Sequence, residues 1–117
     1  MKDNKRLTIG FIIHRLDNDY AKLLLKGALY AAEELNANLA VFPGRSLDSQ
    51  LDNIKYTAYE YQNNVIYSYA SKDSLDALVI SAGTVGSFVS DDTMKEFIDG
   101  FDGLPVVTTE NKIGEYP

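Results

Sequence analysis

Apolar residues run almost unbroken from Leu7 to Ile13, and the polar cluster His14, Arg15, Asp17, Asn18 and Asp19 then interrupts them. A strand buried on both faces has this continuous character, whereas a half-exposed strand alternates. From Ala21 the period changes. Ala21, Leu24, Leu25, Ala28, Ala31, Ala32 and Leu35 recur at three- and four-residue steps, which predicts an amphipathic helix. Lys22, Lys26, Glu33 and Glu34 lie mostly off that stripe. Asn36 and Asn38 punctuate its end, and Leu39 to Phe42 reads as a second strand. The stretch from Leu7 to Phe42 is thus predicted to be a complete βαβ unit.

The rest of the chain repeats the plan. Pro43-Gly44-Arg45 breaks the second strand, and Ser46 to Lys55 is polar without clear periodicity. A connection of that length is either a binding loop or a tolerated surface insertion. A second helix is expected over Thr57 to Ser71, with Tyr59, Gln62, Val65, Ile66 and Tyr69 as its stripe. The tyrosines between Tyr56 and Tyr69 fit ring-in, hydroxyl-out packing better than an aromatic ligand cage. Asp73 to Asp76 turns the chain, and Ala77 to Ile80 is the third strand. Ser90 is a good N-cap for a third helix, with Asp91 and Asp92 in its first turn and Val89 and Met94 at staple positions. Met94, Phe97, Ile98 and Phe101 form its stripe, and Gly103 and Pro105 stop it. Val106 to Thr108 is the fourth strand.

This order, β-α-β-α-β-α-β, predicts an α/β fold: a three-layer αβα Rossmann-like lobe with right-handed crossovers. The sheet is expected to be parallel in the order 2-1-3-4. The expected core is Ile9, Phe11, Ile13, Leu24, Leu25, Ala28, Leu39, Val41, Val65, Ile66, Leu78, Ile80, Phe97, Ile98 and Val106. A length of 117 residues suits one domain over 1–117.

Composition then narrows the partners. The net charge of −6 argues against nucleic-acid contact by this segment, which needs a basic face. Without cysteine there is neither a disulfide nor a thiolate metal site. The apolar run after the basic N-terminus is broken by His14 and Arg15, so it reads as a strand and not a leader. No run approaches the ~20 apolar residues of a membrane span, and a cytoplasmic location is expected.

In open α/β sheets ligands bind outside the carboxyl ends of the strands. That rule selects His14, Arg15, Asp17, Asn18 and Tyr20 after strand one, and Gly44 and Arg45 after strand two. It selects Ser81, Gly83 and Thr84 after strand three, and Thr109 and Glu110 after strand four. His14 is either a ligand donor or a plain strand-end residue. Asp17 and Asp19 are either site residues or caps of helix one, and Tyr20 is either a stacking ring or a half-buried first-turn residue. Thr84 to Ser90 is a weak anion-binding candidate. Enzyme signatures are incomplete. The loop after strand one lacks the glycines of a dinucleotide site, and neither a P-loop nor a G-x-S-x-G elbow occurs. Asp17 and Asp19 mimic half of a phosphoacceptor site, yet strand three runs into Ser-Ala-Gly. His14 is the sole histidine, so a histidine-rich metal site is ruled out. No catalysis, metal or cofactor is expected.

The chain carries Leu7-Thr8-Ile9-Gly10-Phe11-Ile12, the acidic turn Asp17-Asn18-Asp19-Tyr20, and Gly27 within helix one. These stretches resemble the N-terminal lobe of the type 1 periplasmic-binding-protein fold, the sugar-sensing domain of LacI-family repressors. Asp76-Ala77-Leu78-Val79-Ile80-Ser81 is similar to that family's "DGLIIS" third strand, with alanine for glycine, and Leu104-Pro105-Val106-Val107 to its "IPVV" strand. Phe42-Pro43-Gly44-Arg45-Ser46-Leu47, Tyr61-Gln62-Asn63-Asn64-Val65-Ile66-Tyr67 and Ile80-Ser81-Ala82-Gly83-Thr84 look like LacI-type input domains of bacterial signalling proteins. In those, the sensor precedes diguanylate cyclase or histidine kinase modules. Met1 stands directly before strand one, leaving no room for a repressor headpiece, which favours the signalling reading over a transcriptional regulator.

The resemblance implies a non-catalytic lobe that forms half of a cleft for a small, sugar-like ligand, in a larger homodimeric regulatory protein. Asp17, Asn18 and Arg45 would supply polar contacts and Tyr20 a stacking ring. The competing class is a small flavodoxin-like enzyme or phosphoacceptor, and a third is an association module that uses its outer helices.

Overall fold

The computed structural model describes residues 6–47 and 60–117. Strands β1 (Thr8–Ile13), β2 (Asn38–Pro43), β3 (Ala77–Ser81) and β4 (Val106–Thr109) form one sheet in the order β2-β1-β3-β4. Every pairing is parallel: Phe11 lies beside Val41 and Val79, and Ile80 beside Thr108. Helix α1 (Asp19–Glu34) joins β1 to β2, and a 3-10 helix (Glu60–Tyr69) precedes β3. The short α2 (Ala82–Val85) follows β3 directly, and α3 (Asp91–Asp99) precedes β4.

Alternate strand residues point to opposite faces, which splits the core in two. On one face Phe11 and Ile13 meet Ala21, Leu24 and Ala28 of α1. On the other, Ile12, Leu78, Ile80 and Val106 meet Tyr67, Val85, Met94 and Ile98. Helical elements thus cover both sides, as the expected three layers require. Each fully buried Ile, Leu or Met contributes roughly 1.5–3 kcal/mol through removal from water.

Helix α1 is capped by Asn18, whose Oδ1 accepts from Ala21 N at 2.8 Å. The expected aspartate caps are displaced: Asp17 is held by Arg15, and Asp19 is already the first helical residue. Helix α3 begins as expected, with Ser90 accepting from Thr93 N, but ends at Asp99 on Gly100. Phe101 therefore lies beyond the helix, its ring edge-on to Phe97.

The second crossover departs from expectation. An α-helix over Thr57 to Ser71 is predicted, part of which lies outside the described residues, as do Tyr56, Tyr59 and most of the 46–55 loop. Glu60–Tyr69 is instead a 3-10 helix. Three residues per turn place Asn64, Tyr67 and Ala70 on one side. Tyr67 and Ala70 are buried, while Val65, expected in the core, is 50% exposed, and Tyr69 also faces solvent.

Helix α1 covers one sheet face alone among the described residues. A groove of about 430 Å³ opens beside it, bordered by Leu23, Gly27, Ala31 and Leu35, with Phe11 and Val79 at its base. At the other end of the chain, Ile113 is buried and the Tyr116 hydroxyl donates to Asp99. Thr108 N donates to Pro117 O at 2.8 Å along the outer edge of β4.

Candidate functional site

The carboxyl ends of the strands gather most of the polar residues that the topology rule selects. Glu110, immediately after β4, is the hub. Its carboxylate accepts from Tyr20 Oη at 2.8 Å, from Ser81 Oγ at 3.0 and 3.1 Å, and from Gly83 N at 3.0 Å. One side chain thereby ties the start of α1 to the ends of β3 and β4. Glu110 holds a backbone φ of 70°. A side-chain-bearing residue in this left-handed region costs roughly 1–3 kcal/mol and persists only where its surroundings over-determine it. The convergent donors supply that constraint.

Gly83 makes the approach of Glu110 feasible. A Cβ on Gly83 would stand 2.5 Å from Glu110 Cβ, well inside contact distance. Ser81 is fully buried. Its hydroxyl lies 2.7 Å from Thr84 Oγ1, which also donates to Ser81 O at 3.1 Å. Farther along, Ser87 Oγ donates to the carbonyls of Gly83 and Thr84, so the Thr84–Ser90 stretch turns this hydroxyl on its own backbone.

The ends of β1 and β2 are tied together by Tyr67. Its hydroxyl lies 3.1 Å from Ile13 O and 3.0 Å from Arg45 O, between the carbonyl that precedes His14 and that of Arg45 itself. Burial pushes the phenol pKa up strongly, so it stays protonated and donates. Asn64 Oδ1 accepts from Arg45 N at 2.6 Å. Gly44 fits because a Cβ there would lie 2.6 Å from both Asn64 Oδ1 and Tyr67 Cζ. The Arg45 guanidinium folds back on Gly44 O at 2.7 Å and is otherwise directed to solvent.

His14 sits where these groups meet. Desolvation lowers its pKa, and the neighbouring Arg15 and Arg45 lower it further against the opposing pull of Glu110 and Asp17. The imidazole is therefore neutral at pH 7. Its Nδ1 is buried and has no hydrogen-bond partner among the described residues. Arg15 pairs with Asp17 at the exposed rim, and that hydrogen bond holds the Asp17 carboxyl down to about 2.

Of the selected residues, Tyr20, Ser81, Gly83, Thr84 and Glu110 form one connected network. His14, Gly44 and Arg45 stand at the neighbouring strand ends. Asn18 is occupied as a cap, and Tyr20 is exposed with its hydroxyl engaged. Thr109 borders the groove beside α1, with its hydroxyl buried and unpartnered among the described residues. Two organising residues, Tyr67 and Asn64, escape sequence reading. Their three-residue spacing is the only local signal.

Chemically, the edge offers guanidinium donors, a neutral imidazole and two carboxylates, a set suited to hydrogen-bonding a polar molecule. Ser81 Oγ is enclosed, so it is not placed to attack a substrate. Among the described residues, no three acidic or imidazole side chains form a metal-holding group. No described helix is long and apolar enough to cross a membrane. Comparison with family models, curated proteins and solved structures gave no match.

Proposed function

We propose that this chain is a non-catalytic ligand-sensing lobe, of the LacI-type periplasmic-binding-protein kind, within a larger bacterial regulatory or signalling protein. The observation that carries the reading is the convergence of polar residues from all four strand ends on the carboxyl edge of a parallel sheet. The order 2-1-3-4 places the topological switch between β1 and β3 there, and such crevices are where open α/β sheets take ligands. The ligand is a small polyhydroxylated molecule of sugar type. Its hydroxyls meet Arg15, Arg45 and Asp17 at the rim and His14 behind them. A facing lobe completes the cleft, and closure of the two lobes is the signal.

The test is calorimetry of the full-length protein against a panel of monosaccharides, with Arg45→Ala and His14→Ala beside the parent. One sugar should bind, and each variant should weaken it roughly tenfold, the loss of about one hydrogen bond to a charged or buried group. Silence across the panel, or binding indifferent to both variants, would remove the reading. A flavodoxin-like enzyme or phosphoacceptor has the same architecture. A phosphoacceptor would need a carboxylate open to solvent at the end of β3, where a buried Ser81 stands.

A further inference from the structure

Two aspartyl-glycine pairs, Asp99-Gly100 and Asp102-Gly103, stand between α3 and β4. Their local sequences are nearly alike, Ile98-Asp99-Gly100-Phe101 and Phe101-Asp102-Gly103-Leu104. The fold treats them differently. Asp99 closes α3, and its carboxylate accepts from Lys95 Nζ at 2.8 Å and from the Tyr116 hydroxyl. Both bonds hold its pKa below the ordinary carboxylate value, so the group stays ionised. Gly100 N is engaged as well, donating to Phe97 O at 3.2 Å with helical backbone angles. Asp102 and Gly103, in contrast, are both exposed, in the turn that Leu104 N closes on Phe101 O at 3.3 Å. Gly103 holds a φ of 82°, a value that suits glycine at the third position of a turn.

We propose that Asp102-Gly103 is a site of spontaneous isoaspartate formation in the folded chain, and that the bonds to Lys95, Tyr116 and Phe97 protect Asp99-Gly100 from the same reaction. The Gly103 amide nitrogen attacks Cγ of the protonated Asp102 carboxyl. An N–Cγ bond forms, the carboxyl hydroxyl leaves as water with the amide proton, and a five-membered succinimide remains. Water then opens the ring. Cleavage at Cγ restores aspartate. Cleavage at the α-carbonyl carbon leaves isoaspartate, with the main chain running through Cγ. Nothing is oxidised or reduced, and water is the sole co-reactant. Glycine favours the attack because no side chain of its own shields the nitrogen. An ionised carboxylate is a poor electrophile, and one pinned by two donors cannot turn toward the nitrogen that follows it. Both handicaps fall on Asp99. Isoaspartate at 102 adds one main-chain carbon to the turn, and so lengthens the path to Pro105, whose carbonyl accepts from Leu78 N at 2.9 Å at the entry to β4.

Prolonged incubation of the folded chain in heavy-oxygen water tests the proposal, because each ring opening installs one heavy oxygen at the aspartate involved. Fragmentation of the derived peptides by mass spectrometry assigns the label to position 99 or 102. Label at 102 should exceed label at 99 by roughly tenfold or more, since freeing Asp99 and Gly100 breaks three hydrogen bonds. In concentrated guanidinium chloride, where neither helix nor turn persists, the two positions should label at similar rates. Lys95→Ala combined with Tyr116→Phe should raise labelling at 99 in the folded chain and leave 102 unchanged, with far-UV circular dichroism confirming the fold. Gly103 is left in place, because a Cβ there would stand 2.7 Å from Lys72 Cδ and would disturb the turn itself. Equal labelling of the two positions in the folded chain overturns the proposal. So does a folded chain that takes up no label at 102 while the unfolded chain does. Rates that still differ tenfold in denaturant would assign the contrast to local sequence and overturn the protective role of the three bonds.

Discussion

Gly83 and Glu110 approach so closely that a methyl group on Gly83 would lie 2.5 Å from Glu110 Cβ. Gly83→Ala should therefore push Glu110 outward, break its bonds to Gly83 N and Ser81, and destabilise the chain by about 1–3 kcal/mol through overpacking. Urea denaturation measures the loss. A variant as stable as the parent would mean that the β4 end yields freely and that Glu110 is not held as described.

Tyr67→Phe removes one hydroxyl and leaves its ring contact with Phe97, at 5.7 Å between centroids, in place. Ile13 O retains its bond from Gly44 N at 3.0 Å, so Arg45 O is the group left short. The expected cost is about 1 kcal/mol, at the level of a single lost hydrogen bond. Amide exchange at Gly44 and Arg45 should quicken more than exchange in α3. Uniform quickening would show a global effect instead of local loosening.

His14 should titrate below its ordinary value of 6.5, because burial and the two arginines disfavour the imidazolium. The folded state then takes up its proton later than the unfolded chain as pH falls. Stability attributable to this group is complete above pH 6.5 and declines between 6.5 and the lower folded value. Proton NMR of the imidazole reads the midpoint directly, and the slope of stability against pH in that window should flatten in His14→Gln. A midpoint at or above 6.5 would contradict the site electrostatics.

The cap of α1 can be assigned by a paired comparison. Asn18→Ala should cost about 1 kcal/mol, whereas Asp19→Ala, which touches only the dipole, should cost a few tenths. Thermal melts of the two variants decide between them, and the reverse ranking would restore the aspartate as cap.

These contrasts mark where the sequence was legible. The strand order and parallel pairing follow from four largely apolar runs separated by crossovers, and the Ser90 cap follows from local chemistry. The Asn18 cap was harder, because three adjacent Asx residues offer the same oxygen and Arg15 decides by taking Asp17. The 3-10 helix is hidden in the sequence because Val65, Ile66 and Tyr69, which flank the inward Asn64, Tyr67 and Ala70, supply an apolar stripe of their own at a 3.6-residue period. Glu110 was selected by position alone. Its strained backbone and its bonds depend on partners up to 90 residues away, a relationship that no local pattern encodes.

The bond from Thr108 N to Pro117 O has a consequence for self-templating. A strand from another molecule seeking to extend the sheet at β4 would first have to displace Pro117, and beneath it lift Ile113 from the interior and free Tyr116 from Asp99. Edge strands are commonly guarded by charge, proline or a bulge. Here the guard is the segment 113–117, anchored by the Ile113 side chain and the Tyr116 hydroxyl, so runaway β-addition at that rim becomes contingent on partial unfolding.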